Sequence, residues 1–208
     1  KRSPDLELIY CKYLSIKKMC LEAQKMVPYK RCETKLSNIT SHDFSLLCKQ
    51  RRSVRWYIQK QVPRKIIEQT IQDALQAPTA CNRQPFRFVV VDKKEDINNF
   101  GALPMGAATF FHNMPAIAIL IGDLSAYVEE RDRHVIYIDG GLAAMSFMLS
   151  LETHGLASCP INWPDIEERE RLLETDLKLR KFERCIMFIS FGYPDPEGKI
   201  PFSQKKDV

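Results

Sequence analysis

The chain predicts an α+β domain built in layers, and three features of its 208 residues carry that expectation. Segments with helical and with strand character alternate along the chain from Pro63 to Gly192. The strand candidates are short apolar runs, and Ala116 to Gly122 is almost continuously apolar, as a strand covered on both faces must be. Between them lies one long helix candidate, Ile136 to Thr153, whose first half is made of small residues. A chain of this length buries one respectable core and leaves little room for a second.

In chain order, Ser3, Pro4 and Asp5 read as a helix start with proline in the first turn. Leu6, Ile9, Tyr13, Ile16, Cys20, Ala23 and Val27 then recur at helical spacing until Pro28 ends the pattern. Residues 31–48 are more polar, and Thr40 to Asp43, ahead of Phe44 and Leu47, is a second helix start. Residues 1–48 are therefore expected to form an N-terminal helical extension packed on a main domain of residues 49–208. Ile66, Ile67, Ile71, Ala74 and Leu75 make a stripe on a helix that follows Pro63 and is ended by Pro78. Phe86 to Val91 is a strand, Lys93 to Phe100 a short helix, and Ala116 to Gly122 the buried strand.

The long helix contains Gly140 and Gly141, each of which costs about 1 kcal/mol in a helix interior. Close approach of another backbone, such as a partner helix, is expected to offset that cost. His154 and Gly155 supply its stop. Leu156 to Pro160 is a short strand, Asp165 to Leu173 a helix, and Cys185 to Phe191 the last strand.

Composition removes several classes of function. The net charge of +5 gathers at Lys49 to Arg55 and at Lys205 and Lys206, without the long basic face or the aromatic interleaving of a nucleic-acid binder. None of the seven cysteines forms a Cys-x-x-Cys pair and the four histidines lack metal-ligand spacing, so reduced, mostly buried thiols and no metal are expected. Gly101 to Gly106 matches neither the dinucleotide nor the phosphate-loop pattern. No continuous apolar run reaches the length of a membrane span, and the polar N-terminus leads into no signal-like core, which makes the cytoplasm the default location. The start without Met and the abrupt Lys-Lys-Asp-Val ending suggest a piece of a longer polypeptide.

Two segments carry chemistry. Arg51, Arg52, Ser53 and Arg55 place three guanidinium groups and a hydroxyl within five residues, directly before Trp56 and Tyr57. Such a run is either a solvated helix end or the anchor of an anionic, planar ligand; each Arg–phosphate bond contributes about 1.5–3 kcal/mol. Lys205 and Lys206 are expected to meet it around one phosphate. The second segment is the loop from Pro78 to Pro85, where Thr79, Asn82 and Gln84 offer hydroxyl and amide groups between two prolines. Its plain reading is a helix-to-strand connection. No His or Asp is positioned by sequence to activate Cys81, and no catalytic side chain is assigned.

These residues carry a resemblance. Arg51 to Arg55, Ala77 to Phe86, the helix with Asp139-Gly-Gly-Leu-Ala-Ala144, Gly155 to Asn162 and the strand ending at Phe191 to Pro194 stand in the order found in FMN-dependent nitroreductases. The resemblance covers residues 49–206. It implies an α+β fold with a central, mainly antiparallel sheet flanked by helices, and a homodimer with FMN sites at the interface. It implies that Arg51, helped by Arg52 and Ser53, holds the flavin phosphate, and that Arg55 faces the pyrimidine edge of the ring. Pro78, Thr79, Ala80 and Asn82, with Gln84 supporting them, would come from the partner subunit. Pro160, Ile161, Asn162 and Trp163 resemble the segment whose backbone N–H reaches flavin N5, and Lys205 and Lys206 would close over the phosphate.

The implied activity is ping-pong hydride transfer from NADH or NADPH through FMN to an organic acceptor such as a nitroaromatic or a quinone. This chain departs from the family pattern in its lysine tail, where arginine is usual, in the short stretch from Phe100 to Met114, where relatives carry lid helices, and in residues 1–48. Three alternatives stay open: a dedicated flavin dehydrogenase or dehalogenase on the same fold, a flavin-binding redox sensor or regulatory module, and a basic binding module without cofactor.

Overall fold

A computed structural model describes residues 28–207. The helix expected over Leu6 to Val27 lies outside the described residues. The chain divides into two units, residues 1–40 and 41–208. In the first, the described part holds a single 3-10 turn, Arg31–Glu33. The helix expected from Thr40 onward is α1 (Ser41–Gln50); it straddles the boundary drawn at residue 48 and belongs to the second unit, where it packs on the long helix.

The second unit carries α2 (Arg64–Ala74), β1 (Phe86–Val91), α3 (Lys94–Gly101), β2 (Ala116–Asp123), α4 (Val135–Thr153), β3 (Ala157–Asn162), α5 (Glu167–Leu177) and β4 (Glu183–Gly192). Its sheet runs β1-β2-β4-β3 and is antiparallel at every pairing, as the resemblance implies. β2 lies between β1 and β4, and Ala116 to Gly122 are all buried, which is why that run alone lacks polar alternation. Ala118, Leu120, Ile189 and Phe191 face α2 and α4, meeting Ile67, Ala74, Ala144, Phe147 and Leu151. Ile117, Ile119, Ile121 and Phe188 face the other way, toward Ile97, Phe110, Met114 and Leu173. Each large apolar side chain so buried contributes about 1.5–3 kcal/mol.

The reading of the two glycines in α4 needs correction at Gly140. A Cβ on Gly140 would overlap Ile186 Cδ1, whereas a Cβ on Gly141 would meet nothing within 4 Å. At Gly140 the close approach is thus a side chain of β4, not a backbone. The β2–β4 register shifts between Leu120 and Ile121, leaving Ile186 as the extra residue of a bulge, and the bulge aims it at Gly140. Gly141 sits instead on an exposed apolar face with Tyr137, Ile138, Leu142 and Met145. The helical stretch Glu130–Thr153 is long and apolar enough to cross a membrane by length and composition, but charged residues interrupt it, as the sequence expectation of no continuous apolar span has it, and half of its most apolar 18-residue window is buried inside this chain. The helix stops as expected: Gly155 takes φ +70° and Leu156 N–H returns to the Leu151 carbonyl at 3.0 Å.

Candidate functional site

β3 is an edge strand, and the segment leaving α1 is laid against its open side. Val54 N–H donates to the Ser158 carbonyl at 3.0 Å, and Ser53 forms a parallel bridge to Ser158. Tyr57 pins the segment from below: its hydroxyl donates to the Val54 carbonyl at 2.6 Å and lies 3.0 Å from the Ser190 hydroxyl. Burial pushes the Tyr57 phenol far above its ordinary value, so it stays a donor.

This placement brings Arg51, Arg52, Ser53 and Arg55 opposite Pro201, Ser203 and Lys205 around a cleft of about 180 Å³. The two basic clusters of the sequence therefore meet, through Lys205 and not through Lys206, which does not line the cleft. Pro201 and Ser203 were not visible as site residues in the sequence; Ser203 accepts from Lys205 Nζ at 2.8 Å. Arg52 Nη1 donates to the Arg51 carbonyl at 3.2 Å, and the Arg55 guanidinium lies 5.6 Å from the centre of the Phe110 ring. Asn113 Nδ2 holds the Arg55 carbonyl at 3.0 Å.

Arg51 is different. Its Nη1 is buried with no acceptor among the described residues. An unsatisfied buried donor costs about 1–3 kcal/mol, more when charged. The cleft lining holds arginines, a lysine, two hydroxyls and a proline, with no carboxylate. A phosphate oxygen is the acceptor that suits it. Behind the run, burial raises the Cys159 thiol above its ordinary value, against the opposing influence of Arg55, Ser53 and Arg51, so it is not a ready thiolate. Burial likewise raises the Glu152 carboxyl, against the opposing influence of its bond from Gln50 Nε2 at 3.1 Å and of the Arg51 charge, which is near enough to act on it without a hydrogen bond to Arg51 Nη1.

The Pro160 to Trp163 segment splits into two directions. Because the Ser158 carbonyl faces Val54, strand alternation turns the main-chain groups of Pro160 and Asn162 to the same open side. Pro160 has no N–H to offer there; Asn162 does. Ile161 packs inward, and the Trp163 side chain follows it into the core, stacked at 5.2 Å on Phe188 and donating to Glu170. Trp163 borders a separate, larger cavity of about 660 Å³ with Tyr137, Glu170, Arg184 and Cys185, away from the arginine run.

Pro78, Thr79, Ala80, Asn82 and Gln84 do not line the arginine cleft of their own chain. They form a tight loop around the 3-10 turn Ala80–Asn82, in which Cys81, Asn82 and Gln84 take φ of 53°, 53° and 50°. Left-handed backbone in residues other than glycine is costly, about 1–3 kcal/mol each, and persists where surrounding contacts fix it. Here Gln84 N–H donates to Thr79 Oγ1 at 3.0 Å and Gln84 Nε2 to Asn82 Oδ1 at 3.2 Å.

An antiparallel four-stranded sheet between helices, with a cationic cleft on its β3 edge, defines an α+β protein. The nitroreductase family model matches residues 48–109 and 99–193, and the chain belongs to the nitroreductase family, a class of oxidoreductase. It is 26% identical over 196 residues to the Bacillus subtilis protein named "Putative NAD(P)H nitroreductase YdgI", covering 77% of this chain and 92% of that one. It is 27% identical over 180 residues to an iodotyrosine deiodinase of Thermotoga neapolitana, covering 74% and 91%. A solved FMN-dependent nitroreductase from Clostridium difficile R20291 superposes with a TM-score of 0.66 at 26% identity, covering 75% of this chain and 90% of that one.

Proposed function

We propose that the protein is an FMN-dependent oxidoreductase that takes reducing equivalents from NADH or NADPH and delivers them to a small organic acceptor, a nitroaromatic, a quinone or a similar compound. The observation that carries this reading is the buried, partnerless Arg51 Nη1 at the wall of a cleft without carboxylates. The names of its relatives supply the chemistry: one bears NAD(P)H in its name and another is FMN-dependent.

When bound, FMN supplies two-electron transfer between the nicotinamide and the acceptor. The chain's own residues bind and orient. Arg51, Arg52, Ser53 and Lys205 take the phosphate, with Lys206 as a further positive charge nearby in sequence. Arg55 puts a fixed positive charge toward the pyrimidine edge, where negative charge gathers on reduction. The Pro160 to Trp163 segment contributes the outward N–H of Asn162. No side chain is assigned as general acid or base.

The active unit is a homodimer in this reading. The Pro78 to Gln84 loop stands away from its own arginine cleft and serves the partner's. The exposed face of Tyr137, Ile138, Leu142 and Met145 on α4 is the surface on which the second copy packs. In this reading residues 41–208, which include α1, form the flavin domain.

Absorbance of the purified protein tests the reading. Flavin bands that survive gel filtration support it; a colourless protein that fails to take up added FMN sinks it. A second reading, reductive removal of halogen from an aromatic ring, is favoured by the relatives named iodotyrosine deiodinase. Iodide release measured alongside steady-state NAD(P)H oxidation separates the two, because only the second couples turnover of an iodinated phenol to loss of iodide. A redox sensor on the same fold would be reduced once and stop.

A further inference from the structure

Asp139 belongs to the Asp-Gly-Gly motif of α4 but has no role in the site described so far. It is 3% exposed, with Ile138 beside it on the exposed face of the helix. Both of its carboxylate oxygens accept from Ala80 N–H, at 3.3 and 3.2 Å, and Oδ2 also accepts from the Tyr127 hydroxyl at 2.6 Å. The Tyr127 ring lies 5.4 Å under the Arg83 guanidinium, whose Nη1 donates to the Ala126 carbonyl at 2.5 Å. Residues 80 and 83 are thus both held, and between them sit Cys81 and Asn82 in left-handed conformations, costly for Cys81 and readily taken only by an Asn such as Asn82. A buried carboxylate is tolerated only when hydrogen-bonded, and this one directs its bonds at the loop and at the tyrosine that carries Arg83.

We propose that Asp139, acting through Tyr127 and Arg83, is a positioning residue that fixes the Pro78 to Gln84 loop in its flavin-binding shape for the partner subunit. The proposal rests on the reading of that loop given above. Because Asp139 and the exposed face share one helix, the clamp also ties the loop's shape to the surface where the two copies meet. Burial and then the Asp139 carboxylate raise the Tyr127 phenol above its ordinary value, so it remains the donor throughout the neutral range.

The test uses FMN titration of the dimeric protein followed by fluorescence. A wild-type protein that takes up no FMN sinks the functional reading and the clamp together. If it binds, Asp139→Asn and Tyr127→Phe are expected to remain dimeric and to bind FMN about tenfold more weakly, the effect of losing one charge-assisted hydrogen bond. Wild-type affinity in both variants overturns the clamp. The decisive sample is a heterodimer of one Arg51→Ala copy and one Asp139→Asn copy, isolated through different tags.

If the loop serves the partner, both lesions fall on one site and the other site is untouched. The heterodimer should then bind one FMN with wild-type affinity. General damage to the Asp139→Asn fold would weaken that site too, since its Arg51 comes from the damaged copy. A heterodimer with no wild-type site therefore overturns the proposal.

Discussion

Val54 N–H and the Ser158 carbonyl, 3.0 Å apart, join the arginine run to the open edge of β3. The bond is between main chains, so the path of the run is set by backbone, while Arg52 Nη1 and Arg55 Nη1 contact the Arg51 and Ser53 carbonyls. Arg51 Nη1 is the guanidinium nitrogen left buried without an acceptor among the described residues, which makes its replacement the most direct perturbation of the run.

Arg51→Ala should weaken FMN binding by about 10- to 100-fold, the worth of one or two charge-assisted bonds to phosphate. Arg52→Ala should cost less, because Arg52 Nη1 already donates to the Arg51 carbonyl. Quenching of flavin fluorescence on binding measures both. Wild-type affinity in Arg51→Ala would place the phosphate elsewhere.

The two glycines of α4 should respond in opposite directions. Gly140→Ala forces a Cβ into Ile186 and is expected to lower stability by about 1–3 kcal/mol. Gly141→Ala meets nothing within 4 Å in its own chain and should gain about 1 kcal/mol of helix propensity when glycine and alanine are both compared in the monomeric Leu142→Arg background. Urea midpoints of the two variants check this; equal losses would mean that both positions are packed.

Leu142→Arg puts a charge in the middle of the exposed face of α4. Sedimentation should show the variant as a monomer, with flavin lost along with the dimer, because a desolvated charge without a partner costs several kcal/mol at an interface. A Leu142→Arg dimer of wild-type strength would show that another surface joins the copies.

Glu183 sets an acid limit on stability. Burial alone would raise its carboxyl, but bonds from Arg87 at 2.9 Å and from the Arg180 amide and guanidinium at 2.8 and 3.2 Å outweigh it and hold the carboxyl down at about 2. A depressed carboxylate stabilises the fold above its unfolded value, here 4.5, and that stability is lost as pH falls through about 2. Glu183→Gln should therefore cost roughly 2–3 kcal/mol at pH 7. Chemical denaturation between pH 2 and 7 should show the difference between wild type and variant shrinking below pH 4.5; a difference independent of pH would sink the assignment.

Much of the framework was legible because apolar runs such as Ala116 to Gly122 have one physical explanation. The meeting of Arg51 and Lys205 was legible as charge seeking a shared anion, but Pro201 and Ser203 were not, since neither residue type announces a ligand. Trp163 turned out to face the core because strand alternation from Ser158 decides it, and that phase depends on a hydrogen bond to Val54 that no local pattern encodes. The left-handed turn at Cys81, Asn82 and Gln84 was hidden for another reason: no glycine marks it, and its local bonds from Gln84 to Thr79 and Asn82 are joined by one from Ala80 to Asp139, distant in sequence.

Pro160 has one further consequence. An exposed edge strand offers a row of amides on which a strand of another molecule can add, the first step of aggregation. On β3 that row is broken: the Ser158 position is occupied by Val54, and Pro160 has no amide to give. A foreign strand finds no continuous ladder, while a small ligand that needs a single donor still finds Asn162. The same ring that makes the edge inhospitable to polymerisation leaves one isolated donor beside it.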